Sequence, residues 1–89
     1  MVSSSVTIRL TKHARIKIAE RDIPLDIIKS VILSPTWIES DRFDSSLTHF
    51  IGKVEERFLR VIGRWEGENE FVVVSAFYDR RLKRRRKDD

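Results

Sequence analysis

The chain has no cysteine among its 89 residues, and it contains only three glycines and two prolines. Without cysteine it has no disulfide, thiolate zinc site or cysteine nucleophile, and two histidines alone do not complete a structural zinc site. We therefore expect neither a metal nor another cofactor. The glycines, at positions 52, 63 and 67, are too scattered for a phosphate-binding loop, which argues against hydrolysis of nucleoside triphosphates.

Long apolar runs are also missing. The longest, Phe71–Val74, is far shorter than the roughly 20 residues of a membrane-spanning helix. Met1–Ser5 lacks the basic segment and apolar block of a secretion signal, so we expect a cytoplasmic protein with no membrane association. A chain of 10.5 kDa predicts one domain. Because so small a domain buries little of its surface, we expect a partner protein to add to its stability.

The net charge of +4 is concentrated at the carboxyl end. Seven of the 18 basic residues lie in residues 80–89 beside two acids, which leaves eleven basic and twelve acidic residues in 1–79. We therefore predict a nearly neutral body, 1–79, and a frayed basic tail, 80–89, that contacts nucleic-acid phosphate. A solubilising or partner-docking tail is the alternative. The tail residues predicted to contact nucleic acid are Arg80, Arg81, Lys83, Arg84, Arg85 and Arg86.

The amino-terminal half reads as helical after a short extended lead that contains Val6, Ile8 and Leu10. Thr11 is a suitable N-cap for a helix that runs to Glu20 or Arg21. Pro24 suits the start of a second helix, which Ser34-Pro35 ends. One face of the first helix carries a basic ridge formed by His13, Lys17 and Arg21. We predict that Lys17 and Arg21 contact nucleic acid, together with Arg64 further along the chain.

From Thr36 the apolar period changes to two, and β-branched and aromatic residues dominate, which predicts strands. Short polar breaks favour an antiparallel meander. We predict an α+β domain in which two amino-terminal helices pack on one face of a four-stranded, mainly antiparallel sheet. The predicted strands are Trp37–Arg42, Leu47–Val54, Phe58–Trp65 and Phe71–Asp79, the last of them central because it is almost wholly apolar.

Two arginines in the predicted third strand, Arg60 and Arg64, interrupt its face with charge. A guanidinium on a rigid strand can clamp a phosphate and stabilise the charge that develops in phosphoryl transfer. The alternative is cross-strand pairing with an acid. We weigh the two equally for Arg60 and favour pairing for Arg64, with Glu39, Asp41 and Glu70 as the available acids.

Three further side chains are candidates for chemistry. His49 in a strand and His13 in the first helix can each transfer a proton near neutral pH, although a lone histidine is more often structural. Tyr78 can stack on a base or bond a phosphate, or it can be an aromatic at the edge of the core. Glu39 and Asp41 share a strand face, which a solvated edge strand also explains.

The run Leu10–Arg15, the joint Ala19–Ile23 and the helix Ile27–Leu33 resemble a family of small prokaryotic domains. Its members open with a Thr-x-His-Ala-x-x-Arg helix and a Glu-Arg-x-Ile joint. The strand around Arg60 and the last strand, Val72–Tyr78, are also similar, so the resemblance covers nearly the whole body. These domains look like relatives of the RelE/ParE toxin superfamily, particularly of BrnT-like ribonuclease toxins.

This resemblance implies a RelE-like fold and a toxin that cleaves RNA without a metal and is neutralised by an antitoxin. Arg60 matches the family's sheet arginine, Tyr78 its late aromatic and His13 its motif histidine, whereas His49 is a candidate base on chemical grounds alone. We thus predict a toxin-type endoribonuclease with catalytic residues Arg60, His49, His13 and Tyr78. The alternative is a non-catalytic module that binds nucleic acid or protein. The predicted partners are RNA and an antitoxin protein.

Overall fold

A computed structural model of the chain describes residues 6–82. In chain order its elements are β1 (Thr7–Leu10), α1 (Lys12–Glu20), α2 (Leu25–Leu33), β2 (Trp37–Ser40), β3 (Thr48–Val54), β4 (Arg57–Trp65) and β5 (Glu70–Tyr78), and residues 80–82 are helical. The strands form one sheet in the order β1-β5-β4-β3-β2. Strands β2 to β5 form an antiparallel meander, and β1 is parallel to β5.

The predicted fold class is wrong, because the sheet is mixed and has five strands, and a third helical segment begins at residue 80. The extended lead Thr7–Leu10 is the additional strand. It pairs with β5 from Thr7 opposite Glu70 to Leu10 opposite Val73. The physical reason lies in β5, whose buried backbone needs hydrogen-bond partners on both edges. The meander supplies only β4, so the lead fills the other edge.

Both helices begin close to the predicted residues. Thr11 is the N-cap of α1, and its hydroxyl oxygen accepts a 3.1 Å hydrogen bond from the backbone N–H of Ala14. Pro24 is the N-cap of α2 rather than its first helical residue, and Ser34 is the C-cap. The buried residues of the helices, Ala14, Ile18, Ile28, Val31 and Ile32, join the main core against one face of the sheet.

Gly63 allows the sheet and its aromatic core to pack closely. A Cβ at this position would lie 2.2 Å from the carbonyl oxygen of Val72 and 2.6 Å from Cε2 of Phe71. The register between β4 and β5 shifts at Ile62/Gly63. The helix-covered face therefore has no room for a side chain beside Phe71.

The opposite face of the sheet carries no long helix among residues 6–82. Its small apolar cluster consists of Ile51, Phe58 and Leu82, with Trp37 packed against it. Leu82 is buried, so it fixes the helical segment 80–82 against this face. No helix in the described part of the chain is long and apolar enough to cross a membrane.

Candidate active site

The open face of the sheet contains a groove of about 570 Å³. Three neighbouring strands supply its polar floor, with Glu39 on β2, His49 on β3 and Arg60 on β4. Glu39 and His49 are directly opposite each other in the antiparallel register, so their side chains share a face. The complete lining is Glu39, Ser40, Asp41, Arg42, Phe43, His49, Arg60, Phe77 and Arg81.

Arg60 connects the charged groups of this groove. The residue is only 8% exposed. Its Nε donates a 3.1 Å hydrogen bond to Oδ2 of Asp79, and its Nη1 lies 3.0 Å from Oε1 of Glu39 and 2.8 Å from Nδ1 of His49. The cross-strand pairing weighed for Arg60 is therefore present, with Glu39 as one partner and Asp79 as another.

The two neighbours of His49 determine its tautomer. A guanidinium only donates hydrogen bonds, so Nδ1 must accept from Arg60. The ring proton then lies on Nε2, which is 2.7 Å from Oδ1 of Asp41. In this tautomer Asp41 accepts a hydrogen bond from Nε2 and orients the ring, and the lone pair of Nδ1 is directed at Arg60.

Three carboxylates around Arg60 have lowered pKa values. A hydrogen bond from the Trp37 indole, followed by one from Arg60, lowers the pKa of Glu39. Contact with the His49 ring is the main cause of the lowered pKa of Asp41, and contact with Arg81 is the main cause for Asp79. Near neutral pH all three carboxyl groups are ionised, and they lie beside the guanidinium groups of Arg60 and Arg81.

These shifts predict a loss of stability in acid. A carboxyl whose pKa is lower in the folded state than in the unfolded state stabilises the fold above its unfolded pKa, and this contribution disappears as the pH falls through the folded pKa. The unfolded value is near 3.8 for Asp79, so we expect the free energy of unfolding to fall below about pH 4. Urea unfolding at pH 7, 5 and 3 measures this, with Asp79→Asn as the comparison. An equal decline in both proteins would contradict the assignment to Asp79.

Asp79 and residues 80–82 close one side of the groove. The Asp79 carboxylate accepts hydrogen bonds from Arg60 and from the backbone N–H and Nε of Arg81. The side chain of Asp79 is only 2% exposed, whereas that of Arg81 is 82% exposed. Asp79 therefore fixes a buried guanidinium on the floor and an accessible one at the rim.

Two predicted catalytic residues lie away from the groove. His13 is exposed on α1, in the helical layer across the sheet from Arg60. Tyr78 packs against the main core on that same helix-covered face, and the guanidinium carbon of Arg57 lies 3.7 Å from its ring centroid. The groove thus unites only Arg60 and His49 of the four residues predicted to be catalytic.

The predicted nucleic-acid contacts are dispersed. Lys17 pairs with Glu20, and Arg64 pairs with Glu66 rather than with any of the three acids considered for it. Arg21 donates a 2.9 Å hydrogen bond to the carbonyl oxygen of Ala76, which ties α1 to β5. Arg81 lines the groove and Arg80 lines another cavity. The remaining four, Lys83, Arg84, Arg85 and Arg86, lie outside the described residues.

Sequence reasoning missed the importance of Asp79 and Arg57. The sequence signal for Asp79 is an acid directly after an almost wholly apolar strand, a position where burial requires a cationic partner. Glu39 and Asp41 were considered as a pair, but their separate partners, Arg60 and His49, follow from the strand register. Arg57 carries no comparable signal, because it follows two acids in a turn.

No group of three or more His, Asp or Glu side chains within residues 6–82 is arranged to hold a metal ion. Comparison of the chain with models of protein families, with curated proteins and with solved structures found no match.

Proposed function

We propose that the protein is a metal-independent endoribonuclease whose active site is the groove around Arg60. The observation that carries this proposal is the linked series Asp41–His49–Arg60 on the groove floor. It combines an oriented imidazole with an adjacent guanidinium, and these are the groups that general-base catalysis and phosphate stabilisation require. Both belong to strands, which keep their geometry rigid.

In the proposed reaction, a non-bridging oxygen of the RNA phosphate binds Arg60 and draws Nη1 away from His49. The freed Nδ1 then accepts the proton of the ribose 2′-hydroxyl. The 2′-oxygen forms a bond to phosphorus as the bond from phosphorus to the 5′-oxygen breaks, and solvent protonates the leaving oxygen. Asp41 stabilises the resulting imidazolium, and the products are a 2′,3′-cyclic phosphate and a 5′-hydroxyl.

Cations at the rim support RNA as the substrate. Arg42 is exposed at the groove, and Arg81 is held there by Asp79. Five more basic residues, at positions 83–87, follow Leu82 in the sequence, and positive charge favours binding to the phosphates of RNA. Phe43, 91% exposed at the rim, offers a ring on which a base can stack.

We further propose a biological role as the toxin of a toxin–antitoxin pair in the cytoplasm. The resemblance of the motifs around His13 and Glu20-Arg21 to toxin-related domains supports this role. The groove gives an antitoxin a direct means of inhibition, because a protein seated on Phe43 and Arg81 would exclude RNA. This role rests on the nuclease activity proposed above.

A second candidate function is non-catalytic binding of RNA. The observation that favours it is that the polar groups of the groove floor already bind each other. Both ring nitrogens of His49, and Nε and Nη1 of Arg60, have hydrogen-bond partners within the protein. The cluster would then only fix residues 79–82 to the sheet. RNA would bind through Arg81 and the basic tail.

One assay separates the two functions. A fluorescently labelled single-stranded RNA is incubated with the protein in excess chelator, and its binding is followed by anisotropy while cleavage is followed on a gel. The nuclease account predicts binding and cleavage that the chelator does not reduce. Binding without cleavage supports the non-catalytic module, and cleavage abolished by the chelator contradicts metal independence.

A further inference from the structure

A second cavity, of about 340 Å³, lies where β4 begins and β5 ends. Arg57, Tyr78, Asp79 and Arg80 line it. Its volume falls within the range that small organic ligands occupy, roughly 300–1,000 Å³. None of the chemistry proposed for the groove uses Arg57, Tyr78 or Arg80.

Arg57 is held in a defined position by an aromatic ring. Its guanidinium carbon lies 3.7 Å from the centroid of the Tyr78 ring, a cation–π contact. Arg57 is also exposed, and a guanidinium can bind a phosphate through two parallel hydrogen bonds from its N–H groups. Tyr78 itself is partly buried against the core, so the platform is rigid.

The cations of this cavity lack acidic partners within residues 6–82. Neither Arg57 nor Arg80 forms a salt bridge there, whereas the Asp79 carboxylate is bonded to Arg60 and Arg81. Arg57 and Arg80 are both exposed. The cavity therefore presents two positive charges beside an aromatic ring, and its carboxylate is already neutralised.

We propose that this cavity binds one nucleotide unit of an RNA strand. Its phosphate lies between the guanidinium groups of Arg57 and Arg80, and its sugar and base contact the apolar edge of Tyr78. The identification of RNA as the source of the nucleotide rests on the proposed function, but the nucleotide site itself does not.

Consecutive residues of the chain line this cavity and the groove around Arg60. Arg80 lines the cavity and Arg81 lines the groove, and Asp79 borders the cavity while it bonds to Arg60 on the groove floor. A strand that passes over residues 79–81 would meet the cavity on one side and the groove on the other. The cavity thus holds a nucleotide outside the reacting position and fixes the register of the strand.

The test is titration of the full chain with uridine 5′-monophosphate by calorimetry, with uridine as the probe that lacks the phosphate. We expect Arg57→Gln and Arg80→Gln each to weaken binding of the monophosphate at least tenfold. The control Arg9→Gln removes an exposed arginine that pairs with Glu70, and it should bind like the wild type. Uridine should bind at least tenfold more weakly than the monophosphate.

Equal binding by the wild type and both variants, or equal binding of uridine and its monophosphate, would overturn the proposed nucleotide site. Ser40→Trp separates this site from the groove, because Ser40 lines the groove but has no part in the proposed chemistry, and the larger side chain should leave binding of the monophosphate unchanged. If Ser40→Trp abolishes binding, the nucleotide occupies the groove and the inference is wrong. Monophosphate binding that depends on Arg57, in a protein that does not cleave RNA, would uphold the cavity and reject only the nuclease.

Discussion

Replacing Asp79 with alanine should lower the free energy of unfolding by about 3–5 kcal/mol, because it removes the buried carboxylate partner of Arg60 and leaves the guanidinium paired with the more exposed Glu39. Arg60 is 8% exposed and Asp79 is 4% exposed, so water replaces little of the lost interaction. Domains of this kind are stable by only about 5–15 kcal/mol in total. Urea unfolding at pH 7, followed by tryptophan fluorescence, measures the change.

Two controls make the Asp79 prediction specific. Glu66→Ala removes the partner of Arg64 from a pair in which both side chains are 41% exposed, and it should cost less than about 1 kcal/mol. Adding Arg60→Met to Asp79→Ala removes the buried charge that has lost its Asp79 partner and should restore part of the stability. An Asp79→Ala protein as stable as Glu66→Ala would show that the buried pair does not hold residues 79–82 in place.

His49→Ala should reduce kcat/KM for RNA cleavage by about 10²–10⁴-fold, the usual contribution of a general base. The affinity for RNA should change little, because the rim arginines and the tail remain. His13→Ala is the matched control, since it removes the only other histidine from an exposed position across the sheet. Single-turnover cleavage and anisotropy, measured on the same proteins, separate the chemical step from binding.

The proposed mechanism requires His49→Ala to cleave RNA much more slowly than His13→Ala. Equal activity in His49→Ala and His13→Ala would exclude His49 as the base. A thermal unfolding curve for each variant tests whether lost activity reflects lost structure. Asp41→Asn adds an independent check, because it keeps the shape of the side chain but removes the charge that stabilises the imidazolium; its activity should fall while its RNA affinity stays constant.

The positions of the helices and of the meander strands could be predicted because local chemistry determines them. Thr11 caps α1 through its own hydroxyl, and Pro35 prevents α2 from continuing past Ser34. Strands β2 to β5 follow from alternating apolar residues separated by short turns. These signals lie within a few residues of the structure that they produce.

The fifth strand could not be predicted in the same way. Thr7–Leu10 is short, and its partner β5 lies about 60 residues further along the chain, so nothing near it specifies pairing. The need for a fifth strand follows only from β5, which is buried and therefore needs a hydrogen-bonded strand on each of its two edges. The fold class was therefore predicted wrongly because Thr7–Leu10 was interpreted as an extended lead and not as the strand that pairs with the free edge of β5.

The candidate site was predictable in part. Arg60 and His49 attract attention as charged or titratable groups within apolar strands, but their contact depends on register and on the reach of the Arg60 side chain. The separation of Tyr78 from Arg60 follows from the alternation of β strands, since Tyr78 pairs with Leu59 rather than with its neighbour Arg60. The sequence signals only that Asp79, directly after an apolar strand, needs a cationic partner; that the partner is Arg60 depends on the fold.

The most direct test of the central claim uses a labelled RNA that contains one scissile position, compared with the same strand carrying a single 2′-deoxy nucleotide at that position. The assay contains excess chelator, and the product ends are identified by mass spectrometry. The account predicts cleavage of the all-ribose strand to a 2′,3′-cyclic phosphate and no cleavage at the deoxy position. Cleavage at the deoxy position would contradict attack by the 2′-hydroxyl, and an intact, tightly bound all-ribose strand would contradict nuclease activity altogether.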